Sequence, residues 1–124
     1  MAVDILVVHP LSSGFHHSEG SAGAAAAKRE AEKIAHCGEA CRAAGWDFIP
    51  VVAETTGAWG LKGQAFFSAV ARKQARALGL KVSEVAASIW GSLSMAVARS
   101  VANMLLQAGS LPVRLPAEKS SGCV

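Results

Sequence analysis

The chain has 124 residues, of which 52% are hydrophobic and 17% charged, with a mean hydropathy of +0.33. This length and apolar fraction fit one small domain and exclude a disordered charged tail, because enough apolar surface exists to offset chain entropy. Twelve Lys and Arg against nine Asp and Glu leave a net charge of +3, and about a fifth of the residues are alanine with no tyrosine, a composition for helices around a core of small side chains.

The run from Val3 to Val8, closed by His9-Pro10, has the aliphatic and β-branched content of a strand in a parallel sheet. Asp4 stands out in it, since a carboxylate in such company must be paired, hydrogen-bonded or metal-bound unless it meets water at a frayed strand start. Ser12 to Gly23 reads as a loop, and Ala24 to Ala44 as a helix that Gly45 stops. Trp46 to Ala53 returns to strand composition, with Pro50 marking an edge or bulge, so the order is strand, helix, parallel strand. A Gly-punctuated loop, Glu54 to Gly60, leads to a helix from about Gln64 to Leu78.

The last helix is expected from Ser83, as N-cap, to about Gln107. Val85, Ile89, Leu93, Val97, Val101 and Met104 recur on one side of it, so it should cover the sheet or dock on a partner. Arg99 and Asn103 interrupt this apolar stretch and argue against a membrane span. The expected organisation is one α/β domain over residues 1–108, a small mainly parallel sheet on one βαβ unit with two further helices, and a flexible tail over residues 109–124.

Charge is uneven along the chain. No acidic residue falls between Thr55 and Ser83, where Lys62, Arg72, Lys73, Arg76 and Lys81 concentrate the positive field, a pattern suited to a polyanion or simply to a solvated helix face. Trp59, between glycines in the same stretch, is placed either to stack on a base or to plug the end of a sheet. Three cysteines without a scaffold pattern, and no signal peptide, favour an intracellular setting, nucleus or cytoplasm. His16, His17, His36, Cys37 and Cys41 carry zinc-type donors at no familiar zinc spacing, so a solvated loop and two small core-facing side chains are the plainer account. Phosphate-loop, dinucleotide and serine-hydrolase motifs are lacking.

Glu30 and Lys33 lie at i and i+3 on the first helix. If their face meets the strand bearing Asp4, two carboxylates and an ammonium converge, a set suited to Mg²⁺ and to charge on a phosphate in flight; otherwise they form an ordinary surface pair. The succession "AVDILVVHP", "AKREAEKIAHC" and "AAGWDFIPVVAETTGAWG" resembles the restriction-endonuclease-like, PD-(D/E)XK-type region at the carboxyl terminus of reverse-transcriptase polyproteins of non-LTR retrotransposons. Asp4 matches the family's strand aspartate, Glu30 and Lys33 its helix motif, and Phe48, Pro50, Glu54, Gly57, Trp59 and Gly60 its following strand and loop.

The resemblance spans roughly residues 2 to 78 and implies a hydrolase ancestry, the Mg²⁺-dependent cleavage of phosphodiesters. Asp4, Glu30 and Lys33 would be catalytic, with Asp4 and Glu30 as metal ligands. Lys62, Arg72, Lys73, Arg76 and Trp59 would bind DNA or RNA, and the remainder of the polyprotein would be a partner. The family's upstream Pro-Asp strand, which supplies another metal ligand, does not precede Asp4, and His36-Cys37 stands where the family tends to have tyrosine. The expectation is therefore a truncated domain, inactive alone. The alternative is a noncatalytic interaction module that docks, or self-associates, through residues 85–108.

Overall fold

Aliphatic side chains from Ala2 to Val8 form β1, which pairs in parallel with β2 (Phe48–Glu54), in register from Ala2 opposite Phe48 to Val8 opposite Glu54. The computed structural model describes residues 1–11 and 21–110. Between the strands runs α1 (Ala24–Ala43), and after them come α2 (Leu61–Leu78) and α3 (Val82–Ser110). This is the expected α/β class, with the sheet reduced to its two βαβ strands.

Alternation along the strands separates two faces. Leu6, Val8 and Val52 meet Ala25 and Ala26, so α1 covers the face that also carries Asp4. Besides Ala25, the buried residues of α1, Ala26, Glu30, Lys33, Cys37 and Cys41, recur at helical spacing along one side. On the opposite face α2 sits over β2, and Gly63 comes so close that an added Cβ would stand 3.1 Å from Val51 Cγ1. Ile5 is next to Val51 in register, but it remains 67% exposed because α2 does not reach over β1.

α3 packs antiparallel on α2 through Ala71, Ala75, Val85, Ala86 and Ile89. Trp59, Phe66, Phe67 and Trp90 close the other end of this hairpin edge to face, at centroid separations of 5.2 to 6.1 Å. The expected burial of α3 is not realised. Only Val85 is buried, Ile89, Leu93, Val97 and Val101 are half-buried, and Met104 is exposed. The reason is length: 29 residues pack against 18, so about 16 Å of α3 overhangs α2 at 1.5 Å per residue. By length and composition Val82–Gly109 would also suit a membrane span, though Arg99 and Asn103 lie within it.

Four boundaries differ from expectation. β2 begins at Phe48 and includes Glu54, leaving Trp46 outside it and exposed. α2 starts at Leu61, three residues early, because its first turn is held by a side chain from α1. Ser83 is not an N-cap: α3 starts at Val82, and the Lys81 carbonyl accepts from the amides of Glu84 and Val85. α3 continues to Ser110, beyond the expected boundary at 108, whereas residues 111–124, and His16 and His17, lie outside the described residues.

Candidate functional site

Neither α1 nor α2 has a capping side chain of its own, because glycine precedes each: Gly23 before α1 and Gly60 before α2. A helix start leaves amides without intrahelical partners and concentrates positive partial charge, so an oxygen acceptor is needed there. Both acceptors come from glutamates distant in sequence. Glu54, 1% exposed at the end of β2, accepts through Oε1 from the Ala26 amide at 3.1 Å, and the Thr56 hydroxyl donates to its Oε2 at 3.2 Å. Glu30, 6% exposed on α1, accepts through Oε1 from the amides of Lys62 at 3.0 Å and Gly63 at 3.4 Å. The second strand thus caps the first helix, and the first helix caps the second.

This arrangement makes Gly60 a packing requirement. A Cβ there would collide with the Glu30 carboxylate. Gly60→Ala is expected to push Glu30 off the α2 amides and destabilise the chain by about 1 to 2 kcal/mol, read as a lower urea midpoint. An unchanged midpoint would show that Glu30 can shift without loss.

Asp4 and Lys33 do meet. Lys33 Nζ lies 3.0 Å from Asp4 Oδ2, with the lysine side chain 5% exposed and the aspartate side chain 21%. Oδ2 is shielded from solvent and has no partner of hydrogen-bond geometry, so the contact is chiefly ionic. The frayed-start account of Asp4 therefore does not hold, nor does the surface-pair account of Glu30 and Lys33. They share a face of α1, but each serves a different element, while the surface i,i+3 pair is Arg29 with Glu32 at 3.0 Å.

Mg²⁺ needs a near-octahedral oxygen set, usually one or two carboxylates plus water or phosphate. Glu30 is turned to the start of α2 and Asp4 to a lysine, and among the described residues no three metal-ligating side chains gather. In this arrangement the Asp4 carboxylate faces Lys33 and the Glu30 carboxylate the α2 amides. Among the described residues the zinc-type donors do not gather: Cys37 and Cys41 are buried against the sheet side of α1, whereas His36 is on the exposed side.

The cationic residues stand elsewhere. Lys62, Arg72, Lys73 and Arg76 are all exposed on α2, and none forms an ion pair among the described residues. Gln64, Ser68, Arg72 and Arg76 follow one another at four-residue steps, so they share one side of the helix. Trp59 is half-buried in the aromatic cluster, and the Gln64 side-chain amide donates to its carbonyl at 2.8 Å. Sequence reasoning missed Glu54 as a buried capping residue, together with Gln64, Ser68 and Trp90 beside Trp59. A Glu closing an apolar strand was the available signal for the first; the others carry none. No family model, curated protein or solved structure matches this chain.

Proposed function

We propose that the chain is a retroelement-derived, nucleic-acid-associated domain, built like the latter half of a restriction-like nuclease and without cleavage activity alone. The observation that carries it is the exposed cationic face of α2, where Lys62, Arg72, Lys73 and Arg76 lie in an acid-free stretch and form no ion pair among the described residues. Such residues exchange condensed counterions for phosphates, a gain that needs no exact geometry.

The state of β1 supports the same reading. Among the described residues its outer edge has no partner strand, whereas β2's outer edge is partly covered by the Ala53–Trp59 bridge. Ile5 and Val7 are exposed beside that open edge, and β1 carries neither lysine nor proline to blunt it. This is where an upstream strand from the rest of a polyprotein would add. Metal-dependent hydrolysis belongs to that larger assembly, since Asp4 and Glu30 are engaged with Lys33 and α2 here.

Salt-dependent binding tests the reading. The purified chain should bind single-stranded DNA or RNA at low salt, and Arg72→Gln/Lys73→Gln/Arg76→Gln should weaken it about tenfold or more and reduce the slope of log K against log salt by roughly 2 to 3. No binding at low salt, or an unchanged slope, would reject it.

A second reading has its own observation. α3 exposes Met95, and its overhang exposes Met104, Leu105 and Leu106, which suits docking on another protein or a second copy. Association through that face would be indifferent to salt or strengthened by it.

A further inference from the structure

A cleft of about 500 Å³ opens where the two parallel strands end, between the turn after β2 and the α2–α3 hairpin. Trp59 and Trp90 line it, with Gln64, Ser68 and the backbone at Gly23 and Gly57. Open α/β sheets commonly receive ligands beyond the carboxyl ends of their strands, and this volume is that of a small-molecule site. Two indoles supply its aromatic surface, and polar and apolar groups share its lining about equally. Gln64 uses its amide nitrogen on the Trp59 carbonyl, which leaves its side-chain oxygen as an acceptor, and the Ser68 hydroxyl can donate or accept.

The cleft is also continuous with the cationic row. Gln64 and Ser68 line it, and the next two residues of the same side of α2, at steps of about 6 Å, are Arg72 and Arg76. An aromatic surface with polar neighbours that leads toward two guanidinium groups matches a ligand that is planar at one point and anionic along its length.

We propose that the cleft bordered by the touching rings of Trp59 and Trp90 is a subsite for one unpaired nucleobase of a single-stranded nucleic acid, whose phosphates continue along Arg72 and Arg76. This rests on the nucleic-acid reading above and adds to it a named base site. The base packs against the indoles while Gln64 and Ser68 meet its polar edge. A duplex is disfavoured, because a stacked and paired base cannot enter the cleft without leaving its helix.

The test compares intact single strands with abasic strands of equal length and charge, as DNA and as RNA, by fluorescence anisotropy on the full chain. Intact strands should bind about fivefold or more tightly than abasic ones. Ser68→Leu, which fills the cleft, should bring intact strands down to abasic affinity. Because Trp90→Ala also removes part of the aromatic cluster, Ser68→Leu is the primary variant, with circular dichroism confirming its fold. A base effect in DNA alone, RNA alone or both supports the subsite and assigns its sugar preference. Equal affinity of intact and abasic strands in both series overturns the subsite while leaving phosphate binding in place. Absence of binding to any strand overturns the subsite and the nucleic-acid reading together.

Discussion

Glu54→Ala is expected to destabilise the chain by about 3 kcal/mol, lowering the thermal midpoint by roughly 10 °C or more in a circular dichroism melt. Two losses combine. The favourable placement of an acidic group at the positive end of a helix disappears, about 0.3 to 1 kcal/mol or more when partly buried. The Ala26 amide, inside a buried turn, loses a partner that water cannot easily replace, and the Thr56 hydroxyl loses one as well. Glu54→Gln keeps an oxygen at the same place and should cost about 1 kcal/mol, with most of the midpoint retained. If alanine and glutamine behave alike and mildly, the glutamate does not hold α1.

The same residue shows where local sequence ceases to specify the fold. The apolar run before His9-Pro10, the alanine-rich helix and the apolar run around Val51 are visible because periodicity and propensity act over neighbours. Two strands in parallel with a helix between them follow from those patterns alone. Glu54 read as loop because glutamate is depleted in strands, yet a distant helix start makes it the most buried charged residue among the described residues. Glu30 was correctly placed beside Lys33 on one face, but the direction of its carboxylate depends on the start of α2, 32 residues away. Gly60 and Gly23 carried the missing half of that information, since a helix start without its own cap must borrow one.

The candidate site divides in the same way. The cationic residues of α2 were legible because exposure is the default for Lys and Arg, so an acid-free run becomes a positive face wherever the helix packs. The aromatic cleft was not, since Trp90 lies 31 positions from Trp59 and reaches it only through the turn between α2 and α3. The apolar repeat of α3 predicted burial, but a pattern states only what a helix can bury. With two strands and an 18-residue neighbour, too little surface is present to cover 29 residues.

Lys33→Met should cost about 2 to 4 kcal/mol, because it leaves the Asp4 carboxylate without its counter-charge at a position where Oδ2 has no access to water. The lower part of that range applies if Asp4, whose side chain is 21% exposed, turns toward solvent. Asp4→Val should be milder, since a β-branched residue suits β1 and sits near Leu6 on the α1 face, although it strands the Lys33 ammonium in a site where that side chain is 5% exposed. The double variant Asp4→Val/Lys33→Met removes both charges and fills the space with apolar atoms, a replacement that is often neutral or stabilising for buried pairs. The double-mutant cycle from urea unfolding should therefore show the two substitutions compensating, with a coupling of about 1.5 kcal/mol or more. Simple additivity would show that the ion pair contributes nothing to the fold. A large coupling identifies Lys33 and Asp4 as a structural clasp between α1 and the open edge strand, so that a strand added to β1 would find the aspartate already neutralised and the lysine already spent.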